Sequence, residues 1–254
     1  METISAGILN NFKDIDESYL DKLLNDEIEK NNKKIVVLDD DPTGVQTVHD
    51  VSVYTDWSKE SIKSGFEEKN KLFYILTNSR GFTIEQTIKA HKEIANTIAE
   101  VGRELNKEYI IISRSDSTLR GHYPLETKLL KDIENQNGKK IDGEILCPFF
   151  KEGGRFTINN IHYVKYDNKL VPAGETEFAK DKTFGYTSSN MCEYIEEKTN
   201  GEFKKENVTC ISLDDIRSLN FDKIEKQLSE VNDFNKVVVN AIDYCDIKVF
   251  CIAL

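Results

Sequence analysis

Three uncharged apolar runs, at residues 35–38, 72–76 and 109–112, constrain this chain most. Each is short and rich in β-branched or aromatic residues, which reads as a strand buried in a sheet. Residues 51–54 alternate and add a second strand in chain order. Between the runs lie a polar helix over 58–69 and a long amphipathic helix over 84–105; a helix at 125–133 and a strand at 144–147 follow. Strand alternating with helix predicts an α/β fold, a mostly parallel sheet with helices on both faces. After the fifth strand the texture changes. Gly153, Gly154, Pro172 and Gly174 appear, and residues 162–166 and 169–171 flank Asp167 and Asn168, the signal of a β-hairpin insertion. Strand pattern resumes at 209–213 and 236–240, around a helix at 221–231. Residues 1–32 carry Ile8, Leu9, Phe12, Ile15, Tyr19, Leu20, Leu23, Leu24 and Ile28 at helical spacing, a helical lead-in. The expectation is one domain over 1–254, with a hairpin and loop insertion at 150–190.

The formal net charge of −11 argues against nucleic acid and anionic membrane as partners. A small anion is not excluded, because screening confines charge effects to about 8 Å at physiological salt and a local arginine cluster outweighs the global sign. The five cysteines, Cys147, Cys192, Cys210, Cys245 and Cys251, are scattered and form no C-x-x-C pair; three of them lie in apolar runs and read as reduced core residues. No signal peptide opens the sequence and no apolar run approaches the roughly 20 residues of a membrane span. A cytoplasmic protein is expected.

Three of the strands run into polar clusters. The first gives Asp39, Asp40 and Asp41, followed by Pro42, Thr43 and Gly44. The second gives Asn78, Ser79 and Arg80. The third gives Arg114, Ser115, Asp116, Ser117, Thr118, Arg120, Gly121 and His122. In a parallel sheet all three emerge on one edge, and ligands of open α/β sheets bind at the carboxyl ends of strands. Adjacent carboxylates repel one another unless water, a cation or arginines lie nearby. A helix cap near Tyr123 would need one Ser or Thr; two arginines flanking an aspartate exceed that need. The set suits a polyhydroxylated acid. Arginine holds a carboxylate through two parallel hydrogen bonds, while aspartates accept from hydroxyls and one can take the proton of an attacking hydroxyl. Asp40, Asp41 and Asp116 are the candidate bases, with the choice between Asp40 and Asp41 open. Arg80 is expected to pair with the acid's carboxylate.

Arg155, behind Gly153 and Gly154, is a further candidate anion contact, with a plain hairpin turn slightly favoured for that stretch; His122 is the histidine to watch. The run from Glu175 to Asp181 reads as solvated helix starts. The four histidines show no metal-ligand spacing, so no metal site is expected. There is no G-x-x-x-x-G-K-[ST] or G-x-G-x-x-G nucleotide loop.

The aspartate, Arg80 and Arg114 to His122 motifs, with Gly153 to Thr157 and Val171 to Ala179, resemble the four-carbon acid sugar kinases, also labelled Hrp-dependent type III effector proteins. The similarity runs from Lys34 to Asp246 and matches that family's N-terminal domain. The resemblance implies ATP-dependent phosphorylation of an erythronate, threonate or 3-oxo-tetronate, with ATP and Mg²⁺ on a separate C-terminal domain. By position it places acid binding on Asp40, Asp41, Arg80, Ser115, Asp116, Ser117 and Thr118, with Arg120 and Gly121 beside them. Family members are longer, and their nucleotide domain is expected to be absent here, so the partners expected are a sugar acid and that domain. The alternative is a stand-alone acid-binding module or inactive remnant; an effector binding host proteins rests on the label alone. The terminal stripe of Ile247, Phe250 and Leu254 is expected to stay uncovered and to favour a homodimer.

Overall fold

The chain opens with a two-residue strand, β1 (Ile4–Ser5), and a helix, α1 (Glu17–Lys30). A computed structural model describes residues 1–254. They form two compact bodies, one of Asn31–Asp116 with Arg120–Ile141, the other of Met1–Lys30, Ser117–Leu119 and Asp142–Leu254.

The first body contains β2 (Lys34–Asp39), β3 (Val53–Tyr54), α2 (Lys59–Glu67), β4 (Leu72–Leu76), α3 (Ile84–Glu104), β5 (Tyr109–Arg114) and α4 (Leu125–Gln136). Its four strands are all parallel, in the order β3-β4-β2-β5. Val36, Leu38, Phe73 and Ile75 from the strands form one core with Ile62 and Phe66 of α2, Ile94, Ile98 and Val101 of α3, and Leu130 and Ile133 of α4. Phe66 meets both Phe73 and Tyr109 edge-on, at 5.7 and 5.8 Å between centroids. Helix starts follow the sequence: Ser58 caps α2, and Thr83 with Gln86 closes a capping box on α3.

One strand departs from expectation. β5 reads as buried from its uncharged run, yet Ile110 and Ile112 are 41% and 45% exposed. β5 is the edge strand of its sheet; Tyr109 and Ile111 join the core while the alternate residues face outward, as a period of two requires.

The second body holds β6 (Gly143–Leu146), β7 (Arg155–Ile158), β8 (Ile161–Tyr166), β9 (Lys169–Pro172), α5 (Met191–Lys198), β10 (Thr209–Ile211), α6 (Leu213–Arg217), α7 (Phe221–Ser229), β11 (Asn235–Val239) and α8 (Tyr244–Ala253). A parallel sheet runs β10-β11-β6 and an antiparallel one β1-β9-β8-β7. The hairpin expected around Asp167 is the β8–β9 pair, with Tyr166 opposite Lys169. A second hairpin, β7–β8, turns at Asn159 and Asn160, both at positive φ, as a type I′ turn demands. The helical lead-in is less regular than its spacing suggests: β1 pairs with β9 and residues 6–11 form a 3-10 segment before α1.

Two ion pairs are buried in this body. Lys236 Nζ lies 2.6 Å from Glu144 Oε2, with the rings of Phe234 and Phe203 at 3.5 and 4.1 Å. Arg217 holds Asp246 through Nε and Nη2, at 2.5 and 3.0 Å. The terminal stripe is not left bare as expected. Val249, Phe250 and Ala253 of α8 join the core with Leu20 of α1 and Ile224 of α7, and Leu254 alone of the stripe is strongly exposed, at 67%. No helix is long and apolar enough to cross a membrane. The α/β class stands, with two parallel sheets and one antiparallel sheet in place of a single mostly parallel one.

Candidate functional site

Register brings the three polar clusters of the first body together. Asp39, the last residue of β2, pairs with Leu76 of β4 on one side and Arg114 of β5 on the other. All three strands therefore end in one row, and the residues after them share the carboxyl edge. Backbone bonds splice the loops: Thr77 N donates to the Asp39 carbonyl (2.8 Å), Asp40 N to that of Arg114 (3.2 Å), and Arg80 N to that of Asp40 (3.3 Å). Asn78, in the left-handed region at φ 55°, turns the chain into the short helical turn carrying Arg80.

The side chains form Asp–Arg pairs. Arg80 grips Asp40 with two donors, Nε to Oδ2 at 3.0 Å and Nη2 to Oδ1 at 2.6 Å, and gives Nη1 to Asp41 Oδ2 at 3.0 Å. Ser115 Oγ adds a third donor to Asp40, at 3.0 Å. Asp41 also accepts from Thr43 N at 2.7 Å and from the Thr43 hydroxyl. Arg120 Nε donates to Asp116 Oδ2 at 2.6 Å. Arg114 reaches Asp39 only at 3.4 Å, and this is its one polar side-chain contact. Two glycines make the packing possible. A Cβ on Gly44 would fall on the Asp39 carboxylate, and one on Gly121, at φ 144°, would lie 2.6 Å from Ser115 Oγ.

Burial pushes the Asp39 carboxyl up to about 6, reinforced by Asp40 and opposed by Arg114. Burial acts in the same sense on Asp41, but the Thr43 hydrogen bonds and the charges of Arg80 and Arg114 outweigh it and hold Asp41 below the usual carboxylate range. Beside the cluster, Thr77 Oγ1 and Ser79 Oγ are 3.1 Å apart, and Ser79 Oγ donates to Glu126 Oε1 at 2.6 Å. Glu126 in turn lies 3.5 Å from His91, whose pKa burial lowers.

The sequence-selected residues divide. Asp40, Asp41, Arg80, Ser115, Asp116, Arg120 and Gly121 lie in the first body, where hydrogen bonds join the first four and Asp116 with Arg120, and the Ser115 hydroxyl links the two groups through the Arg120 carbonyl at 3.3 Å; His122 faces the Phe82 carbonyl at 3.0 Å. Ser117 and Thr118 are counted in the second body, as is Arg155. There the Ser117 carbonyl meets His162 Nε2 at 2.7 Å, Thr118 O accepts from Tyr186 OH at 2.8 Å, and Leu119 O from Tyr194 OH at 3.2 Å. Arg155 follows a tight turn, as its glycines suggest; its Nε is buried without a hydrogen-bond partner and its guanidinium stacks 5.5 Å from the Phe178 ring. No Ser or Thr caps α4, whose N-cap is Pro124 with no side-chain bond, so capping does not account for this loop's hydroxyls. Asp39 and Arg114, which the sequence places in these polar clusters without a role of their own, meet at the same edge. The signal was available: an aspartate and an arginine each closing an apolar run.

An α/β chain with an arginine–aspartate cluster along a parallel sheet's carboxyl edge belongs to the class of small-ligand-binding domains. Residues 35–254 match the family model described as a sugar-binding N-terminal domain, and the chain belongs to that family. No curated protein sequence matches it. Among solved structures it is similar to a Salmonella typhimurium LT2 protein provisionally labelled a tRNA synthase (TM-score 0.62, 14% identity, 86% of this chain and 50% of that one). It is similar to a Haemophilus influenzae DUF1537 protein (0.57, 14%, 86% and 54%). It is also similar to a Bordetella bronchiseptica DUF1537 protein, a domain-swapped dimer with bound citrate (0.61, 18%, 88% and 52%). DUF1537 is the four-carbon acid sugar kinase family, and the likeness is to its N-terminal domain. The chain spans about half the length of these proteins.

Proposed function

We propose that this chain binds a four-carbon sugar acid and presents its hydroxyl for phosphorylation by ATP. One observation carries the reading: Arg114 stands at the sheet's carboxyl edge, 31% exposed, with a single long contact to Asp39. Its remaining N–H groups can hold a carboxylate. Arg80 is committed to Asp40 and Asp41, so its part is to fix the two aspartates rather than to take the acid first. Asp41 is the proton acceptor favoured by access, 24% exposed against 4% for Asp40. A low pKa suits a carboxylate that accepts the proton late, as phosphoryl transfer asks more for positioning than for a strong base. Citrate on the Bordetella protein supports a small hydroxy acid as the ligand class, and the domain-swapped dimer of that protein supports a dimer.

The sequence carries no phosphate-cradling glycine loop, and the structure has no group of three metal-ligating side chains. In this proposal the nucleotide binds a separate domain, and the expected setting is the cytoplasm. Calorimetric titration with erythronate, threonate, 3-oxo-tetronate and citrate tests it. At least one acid should bind, and Arg114→Ala should weaken it by about 2–5 kcal/mol, the usual loss of one partner from a desolvated charge pair. An unchanged dissociation constant in a folded Arg114→Ala protein removes Arg114 from the site. Binding without phosphorylation once a nucleotide domain and Mg-ATP are supplied would favour a stand-alone binding module.

A further inference from the structure

Cys192 and Cys210 lie 18 residues apart in sequence, with no motif joining them, yet their Sγ atoms are 3.3 Å apart. Cys192 is the second residue of α5, whose N-cap Asn190 accepts from the Cys192 backbone N–H at 3.0 Å. Cys210 is the middle residue of β10. Helix and strand thus hold the two sulfurs face to face from two rigid elements. A disulfide requires about 2.05 Å, so closure asks the sulfurs to approach by roughly 1.2 Å, within reach of χ1 adjustment.

The pair is asymmetric. The Cys210 hydrogen bond draws the Cys192 thiol below its usual pKa against the opposing effect of burial, while Cys210 is pushed up, first by the Cys192 contact and then by burial. A thiolate at a helix N-terminus is the nucleophile and its neighbour the resolving partner. Cys192 is 9% exposed, so a small oxidant reaches it better than a bulky one.

We propose that Cys192 and Cys210 form a reversible disulfide site. With a peroxide as oxidant, the Cys192 thiolate attacks one peroxide oxygen, the O–O bond breaks and hydroxide leaves, giving a sulfenic acid. Cys210, losing its proton, then attacks the Cys192 sulfur and expels the sulfenic oxygen as water. Two thiols are oxidised, one peroxide is reduced, and a dithiol reductant reverses the change. The bond ties β10 to the helix that carries Tyr194, whose hydroxyl holds the Leu119 carbonyl.

The test uses the full chain in a Cys251→Ser background, which removes the exposed thiol. After stoichiometric hydrogen peroxide, mass spectrometry should show a loss of about 2 Da, a Cys192–Cys210 cross-linked peptide, and recovery with dithiothreitol. The melting temperature of the oxidised form should rise by roughly 5–10 °C, as closing a loop of this size stabilises. In Cys210→Ser the 2 Da loss should vanish, and dimedone should trap a sulfenic acid on Cys192. Retention of both thiols as separately alkylated residues, or direct passage of Cys192 to the sulfinic acid without a cross-link, would overturn the assignment. The readout needs no sugar acid, so it stands or falls apart from the proposed function.

Discussion

Asp39→Asn is the sharpest probe of the carboxyl edge. Asp39 is almost wholly buried, and its carboxyl titrates at about 6 against an ordinary 3.8. Between those values the folded chain holds a proton that the unfolded chain has released. Stability therefore falls as pH rises through this window, and the loss is complete above about 6. A gap of roughly 2 pH units at about 1.4 kcal/mol each gives a cost of about 3 kcal/mol at neutral pH. Asn is isosteric and cannot ionise. It forfeits the contact to Arg114, which at 3.4 Å to a partly exposed guanidinium is worth at most about 1 kcal/mol. The variant should be near wild type at pH 4.5 and more stable by about 1–2 kcal/mol at pH 7.5.

Urea unfolding followed by tryptophan fluorescence is the assay. The single tryptophan, Trp57, packs against the core of the body that contains Asp39, so the signal reports on that body. The pH dependence is the discriminating quantity. Asp41, held low, acts only below about 3.8 and in the opposite sense, its stabilisation being lost on acidification. If wild type and variant keep the same difference in stability from pH 4.5 to 7.5, burial does not strain Asp39.

Gly44→Ala should cost about 1–3 kcal/mol, the usual range for overpacking, because its Cβ would fall on the Asp39 carboxylate. Adding Asp39→Ala should recover part of that loss in thermal unfolding, and strictly additive effects would show that the two do not touch. Glu144→Leu should destabilise by about 3–5 kcal/mol by stranding Lys236, whereas Glu144→Leu with Lys236→Met should return most of it; a double variant no better than the single one would refute the pairing.

Much of the first body was legible because a buried parallel strand writes itself as an uncharged run, and its end as an abrupt polar cluster. Asp39, Arg80 and Arg114 follow such runs, and their meeting needed only a parallel sheet. Composition could not tell that Ile110 and Ile112 face outward, since an edge strand and a central one carry the same apolar residues and differ only in what covers them. Nor could spacing show that Arg80 spends its donors on Asp40 and Asp41; two carboxylates and a guanidinium 39 or 40 residues apart are equally consistent with a free arginine. The Asn159–Asn160 turn had a local signal, two asparagines between β-branched residues, that was passed over. The hold of His162, Tyr186 and Tyr194 on Ser117, Thr118 and Leu119 spans 45 to 75 residues and leaves no local trace.

Under the proposed function, charge balance reconciles so many aspartates at one edge with an acid as the ligand. Asp39, Asp40, Asp41 and Asp116 face Arg80, Arg114 and Arg120. With Asp39 protonated the set is neutral, and with it ionised one negative charge is in excess. All three arginines are paired within the set, Arg80 and Arg120 at 2.6 Å and Arg114 only at 3.4 Å, so an incoming carboxylate gains most from the arginine with the longest contact. That arginine is Arg114. A proton on Asp39 releases it without breaking a strong pair, whereas recruiting Arg80 would strand Asp40 at 4% exposure with Ser115 as its remaining side-chain donor. The aspartates that oppose the acid's carboxylate are also the acceptors its hydroxyls require. The same edge can therefore hold one end of a hydroxy acid by charge and the other by hydrogen bonds.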